Sequence, residues 1–172
     1  MNPSTSDPQP IDNGGNSAHA EPLNRLTPAE QATEYLHSEM PLTRAMMLAV
    51  NTWDGMTVAL SAPLEPNQNH ADTAFGGSIS TLGIIAGYCL LWLACKDRGI
   101  STRILIQHSS TEDLRPIDHD FAATATFTGT GITDFLKAIQ RKRRGRATVE
   151  SLITCQSLVA AKHTGIYVAL LY

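Results

Sequence analysis

The run Asn67-Gln68-Asn69-His70-Ala71-Asp72-Thr73-Ala74-Phe75-Gly76-Gly77-Ser78 sets amides, an imidazole and a carboxylate ahead of a glycine pair, and no charge follows until Lys96. The charge-free stretch predicts a buried helix, whose first N–H groups lack intrahelical acceptors. With the positive end of the helix dipole, those groups can hold an anion or polarise a carbonyl oxygen. Gly77 N–H, with Gly76 or Ser78 beside it, is the candidate donor to an oxyanion, because glycine lets an acyl carbonyl reach the backbone without meeting a Cβ. A tight turn into the helix would use the same glycines. Histidine is the residue type suited to general-base work near neutral pH, so His70 is a candidate base, and Asp72 can orient it or act itself. Against these stand two plainer readings, Asp72 as the helix N-cap and His70 as a loop histidine bonded to backbone.

Other charge and metal signals are sparser. Arg141-Lys142-Arg143-Arg144-Gly145-Arg146, with Lys137 before it, is the one concentrated positive run in a chain of formal charge −3. Arg141, Arg143 and Arg144 can meet the phosphates of a cofactor-borne substrate or an acidic protein surface, or belong to a solvated loop before a strand. No interleaved aromatic or nucleic-acid motif accompanies them, so a nucleic-acid partner is not expected. His108, His119 and His163 lack the paired spacing of a zinc motif, and no metal site is expected. There is no G-x-S-x-G elbow, phosphate-binding loop or dinucleotide fingerprint, which makes Ser78 a poor nucleophile. No cofactor is expected.

These groups need elements to hold them. Residues 1–26, rich in Pro, Ser, Asn, Asp and Gly, read as a disordered leader. Thr27-Pro28-Ala29-Glu30 has the form of a capping box, so a short helix should follow and end before Pro41. Leu48 and Val50, then Met56, Val58 and Leu60, alternate around Trp53-Asp54-Gly55, predicting a hairpin. The long helix, Thr73 to Cys95, comes next. Segments 102–108, 121–128, 147–156 and 158–172 read as strands, the third and fourth adjoining. In 121–128 the threonines fall on one face and Phe121, Ala123 and Ala125 on the other. Asp134 to Gln140 reads as a helical turn. Two strands, a long helix and four strands imply an α+β fold in which one antiparallel sheet wraps a single helix.

The chain has 172 residues, 42% apolar and 17% charged, which suits one globular domain over 27–172. The long helix could span a bilayer by length, but Ser78, Ser80 and Thr81 near its start and the absence of a basic flank favour a core helix. Gly83 and Gly87, four apart, mark where another backbone comes close. Cys89, Cys95 and Cys155 form no C-x-x-C pair and read as reduced core thiols. With no basic segment followed by an apolar run at the N-terminus, a cytoplasmic protein is expected.

The Asn-His…Ala-Phe-Gly-Gly-Ser element opening a central helix resembles the thioesterase-like hot-dog domain found in some bacteria behind an N-acetyltransferase domain. The likeness runs from about Pro41 to the C-terminus. Many hot-dog thioesterases carry Asn, then His-Gly-Gly, then a carboxylate two turns into the helix. Asn69 matches the Asn, Gly76-Gly77 match the glycines, Phe75 replaces the His, and the carboxylate position falls at Ile84. The resemblance implies a curled sheet of five or six strands around one helix, a short N-terminal helix, a homodimer, and hydrolysis of a thioester of coenzyme A or acyl carrier protein by water. Phe75, Gly76 and Ser78 would then border the substrate. With Ile84 unable to serve, Asn69, His70, Asp72 and Thr81 or Ser80 remain to hold or activate water. An acyl dehydratase or hydratase on the same fold, using His70 with Asp72, and a non-catalytic acyl-binding module are the alternatives.

Overall fold

A computed structural model describes residues 26–172; the expected leader, apart from Leu26, lies outside the described residues. Helix α1 (Pro28–Glu39) begins with the expected capping box, Thr27 Oγ1 accepting Glu30 N–H at 3.2 Å and Glu30 Oε2 accepting Thr27 N–H at 2.7 Å. It ends before Pro41, as expected. Pro41 then starts a second helix that the sequence reading did not foresee, α2 (Pro41–Ala45), its fixed φ suiting a first helical position.

Strands β1 (Ala49–Trp53) and β2 (Thr57–Ala62) form the hairpin, with Asp54 Oδ1 accepting the N–H groups of Met56 and Thr57 at 2.8 and 2.6 Å and Gly55 at φ +94°. Met56 belongs to this turn and is exposed, unlike Val58 and Leu60. Helix α3 (Gly76–Lys96) follows, starting three residues later than expected. Strands β3 (Thr102–Asp113) and β4 (Phe121–Thr126) come next, then helix α4 (Gly131–Lys142), β5 (Arg144–Cys155) and β6 (Leu158–Leu171). All neighbours pair antiparallel in the order β1-β2-β4-β5-β6-β3.

The helical turn foreseen at Asp134 to Gln140 is a full amphipathic helix burying Ile132, Phe135, Leu136 and Ile139. That spacing of three, one and three is a helical stripe, readable beforehand but masked by the basic residues after it. Arg141 and Lys142 therefore end a helix and do not lie in a loop.

Helix α3 is long and apolar enough to cross a membrane, yet the sheet wraps it and most of its residues are buried. A helix in that position carries apolar groups all round, which is why it showed no amphipathic stripe. The three cysteines are free and buried. Gly83 and Gly87 are contact points: a Cβ on Gly83 would lie 2.5 Å from His163 Cβ, and one on Gly87 would collide with the Tyr167 ring. Two bonds lock this seating, Ser151 Oγ donating to Gly83 O at 3.0 Å and Tyr167 Oη to Ile84 O at 2.8 Å.

His163 is fully buried, with Nε2 2.9 Å from Ser109 Oγ and Nδ1 lacking a partner among the described residues. Burial pushes its pKa down to about 4.

Two outcomes follow from this seating. Gly83→Ala should destabilise by about 2 kcal/mol in denaturant unfolding, because His163 Cβ cannot move without its strand. Were the contact absent, alanine would raise helix stability by about 1 kcal/mol. For His163 the unfolded state takes up the proton first, so its contribution is full above pH 6.5 and lost progressively as pH falls toward 4. Urea unfolding should show stability about 1 kcal/mol lower at pH 5.5 than at 7.5 from this group, and His163→Gln should remove that part of the slope. An equal slope in the variant would contradict the assignment.

Candidate active site

The loop from Asn67 to Phe75 is tied down by amides. Asn67 is buried, its Nδ2 donating to Met46 O at 2.9 Å and Pro63 O at 2.8 Å, while its own carbonyl accepts Phe75 N–H at 2.7 Å. Asn69 Oδ1 accepts Ala71 N–H at 2.8 Å, closing an Asx turn, and Asn69 Nδ2 donates to Thr73 Oγ1 at 3.1 Å. Ala74 N–H reaches across to Ile117 O at 2.7 Å. The loop thus enters α3 at one fixed angle.

The helix start is open. Ser78 and Ile79 N–H both donate to Phe75 O, at 2.8 and 3.0 Å, whereas Gly76 and Gly77 N–H have no acceptor among the described residues. Phe75 is the N-cap, and Asp72 is not: it sits in the left-handed region at φ +57°, its carboxylate accepting Gln68 Nε2 at 2.8 Å. The capping expectation fails because the chain makes an extra turn after Asp72. A Cβ on Gly77 would meet the Phe75 ring, which is 57% exposed and so free to rotate away.

Beside this opening lies a cleft of about 450 Å³ lined by Asn69, Gly76, Ile79, Asp113, Arg115 and Ile117, among others. Asp113, the last residue of β3, went unnoticed in the sequence because the strand was expected to stop at His108. The polar alternation Ser109-Ser110-Thr111-Glu112-Asp113 carries the strand on. Its carboxylate is close to the helix start: a Cβ on Gly76 would lie 3.9 Å from Asp113 Oδ2. No hydrogen bond within the described residues occupies that carboxylate.

Of the other expected residues, Asn69 and Gly76 line this cleft, while His70, Asp72, Phe75, Gly77, Ser78 and Thr81 are not among its walls. His70 is exposed. Thr81 Oγ1 donates back to Gly77 O at 2.8 Å, as threonine in helices often does. At the position where the hot-dog pattern has a carboxylate, Ile84 offers its carbonyl to Tyr167, and His163 over the neighbouring Gly83 stays neutral in its buried seat. A base of such low proton affinity does little at neutral pH.

The basic cluster is elsewhere. Arg144 pairs with Leu170 at one end of the β5–β6 ladder, whereas Ile153, nine residues on, pairs with Ala161, itself opposite Asp113. At about 3.3 Å per residue the cluster and the cleft are roughly 30 Å apart in one chain. Arg143, left-handed at φ +54°, donates from Nη2 to Tyr172 O at 3.0 Å. Arg141 and Arg144 are exposed.

Three solved structures share this arrangement. A Chlorobaculum tepidum protein of unknown function is 23% identical, with 83% of this chain and 93% of that one covered and a TM-score of 0.78. A Shewanella oneidensis protein described as a "putative thioesterase" is 24% identical over 83% of this chain and 97% of its own, with a TM-score of 0.77. A Pseudomonas aeruginosa protein described as a "probable thioesterase" is 18% identical over 85% and 97%, with a TM-score of 0.73. At these identities they show the fold, the hot-dog arrangement of sheet and central helix. The model of the family described as "Putative thioesterase (yiiD_Cterm)" matches residues 29–171, nearly the whole described chain. The chain is therefore a member of that family.

Proposed function

We propose that the protein hydrolyses an acyl thioester of coenzyme A or acyl carrier protein in the cleft at the start of α3. The observation that carries this reading is the placement of the Asp113 carboxylate beside the start of α3 at Gly76, where the N–H groups of Gly76 and Gly77 have no acceptor among the described residues. Family membership supports the reaction class.

In the proposed reaction the thioester oxygen takes the N–H groups at the helix start. Asp113 holds a water and accepts its proton as the oxygen attacks the carbonyl carbon. Negative charge grows on the carbonyl oxygen, where the amides and the helix dipole stabilise it; a single such donor is worth about 100- to 1,000-fold in rate. Collapse breaks the C–S bond, and the thiolate recovers the proton from Asp113, leaving acid and thiol. Asn69 keeps the loop and so the helix start in place, and Arg115 is the cation in the cleft wall. The Arg141, Arg143 and Arg144 cluster is outside this site within one chain.

A carboxylate left without a hydrogen bond in the cleft favours an enzyme over a non-catalytic acyl-binding module. His70, outside the cleft walls, weakens the dehydratase or hydratase reading. We also propose a homodimer through β3, an edge strand of 12 residues with Leu105 and Ile106 exposed, since an uncovered edge of that length invites pairing. Asp113 lies at the end of that strand, so a second copy would help enclose the cleft.

Acyl-coenzyme A and acyl-carrier thioesters of graded chain length should be hydrolysed by the wild-type chain. Asp113→Asn should lower kcat by about 100- to 10,000-fold with KM little altered, while His70→Ala should leave kcat unchanged. Activity retained in Asp113→Asn, or no release from any thioester by the wild type, would refute the assignment. Light scattering should give twice the mass of the chain; a monomer would refute the dimer.

A further inference from the structure

The geometry points to a site for a thiophilic divalent cation of the zinc type at Asp118, His119 and Cys155, outside the proposed catalytic groups. One ligand atom from each, a carboxylate oxygen, a ring nitrogen and the thiol sulfur, lies within 4.8 Å of the other two. Zinc holds oxygen and nitrogen at about 2.0 Å and sulfur at about 2.3 Å, which sets these tetrahedral ligand atoms roughly 3.3 to 3.6 Å apart. On binding, the sulfur and its partners would draw together while the 2.8 Å Asp118–His119 pair opens slightly.

The division of labour among the three residues suits that closure. Cys155 is held by the sheet, opposite Phe121 on β4 and Leu158 on β6, just before a tight turn with Gln156 at φ +48° and Ser157 at φ +66°. Both positive φ values are those of a type I′ hairpin turn, which fixes the end of β5. Its sulfur faces the loop, 4.0 Å from His119 O. Asp118 and His119 have exposed side chains, 66% and 57%, free to rotate, and already meet each other at 2.8 Å between Oδ1 and Nδ1.

The donor set selects the ion. A thiolate with imidazole and one carboxylate suits zinc or cobalt, whereas magnesium and calcium demand oxygen ligands. Binding releases the thiol proton to solvent, and thiolate plus carboxylate then balance the charge of a divalent ion. A water completes four-coordination. Histidine spacing along the chain could not show the site, because Cys155 arrives across the sheet, 36 residues beyond His119. The ion would join the end of β5 to the loop carrying Arg115 and Ile117, two walls of the cleft.

Cobalt(II) is the probe of choice, added to chelator-stripped full-length protein at neutral pH. One equivalent per chain should bind, with a thiolate-to-cobalt charge-transfer band in the near ultraviolet, and zinc should displace it and raise the thermal midpoint. Cys155→Ser should abolish the band, and His119→Gln, an exposed change that spares the core, should weaken binding at least tenfold. Cys89→Ala should change neither. Absence of the band, or binding that survives both Cys155→Ser and His119→Gln, would overturn the site; if Cys155→Ser fails to fold, retained affinity in His119→Gln and Asp118→Asn does the same.

Discussion

Everything in the molecule is referred to the seating of one apolar helix against the sheet. Gly83 and Gly87 bring α3 so close to β6 that His163 and Tyr167 fill the space a methyl would need. Two of the polar groups that come inside with them bond the helix backbone: Ser151 to Gly83 O and Tyr167 to Ile84 O. Each such bond contributes about 1 kcal/mol, but losing its partner leaves a buried polar group unsatisfied at greater cost. The seating therefore selects one axial position and one rotation of α3.

That selection also fixes the helix start to which the proposed chemistry is assigned. With α3 fixed, Gly76 and Gly77 are held at one place relative to the end of β3, and the loop amides of Asn67 and Asn69 prevent the entering chain from swinging over the open N–H groups. In the common hot-dog pattern the carboxylate rides on the helix itself; here that position, Ile84, faces a structural contact. The proposed carboxylate comes from the neighbouring strand, at a sheet edge where solvent and substrate can reach it. A base placed there, as proposed, would keep a charge out of the wrapped part of α3.

Much of this was legible in the residues. The capping box at Thr27 to Glu30, the Asp54-Gly55 hairpin, the long core helix and the small-residue face of β4 are local patterns with local causes, and they appear close to their expected places, the helix starting three residues later and Met56 falling in the turn. The glycine pair in α3 predicted a close approach without saying to what. What escaped depended on pairing between distant segments: β3 continues to Asp113 because β6 is there to meet it, residue by residue to Ala161. Asp72 misled because an Asp ahead of a helix is a common cap, while here the chain spends its left-handed turn at that residue. The basic run drew attention by charge density, and only the antiparallel register shows that it lies at the far end of the sheet from the cleft.

The central claim is that a thioester carbonyl lies against the open amides of α3 and is polarised there. Isotope-edited infrared difference spectroscopy of a carbonyl-labelled acyl-coenzyme A bound to the Asp113→Asn chain reads that polarisation directly. The account predicts a C=O stretch at lower frequency than in water, with the Gly76 amide resonance shifting on binding. A stretch at or above its value in water, with the Gly76 amide unmoved, would contradict it.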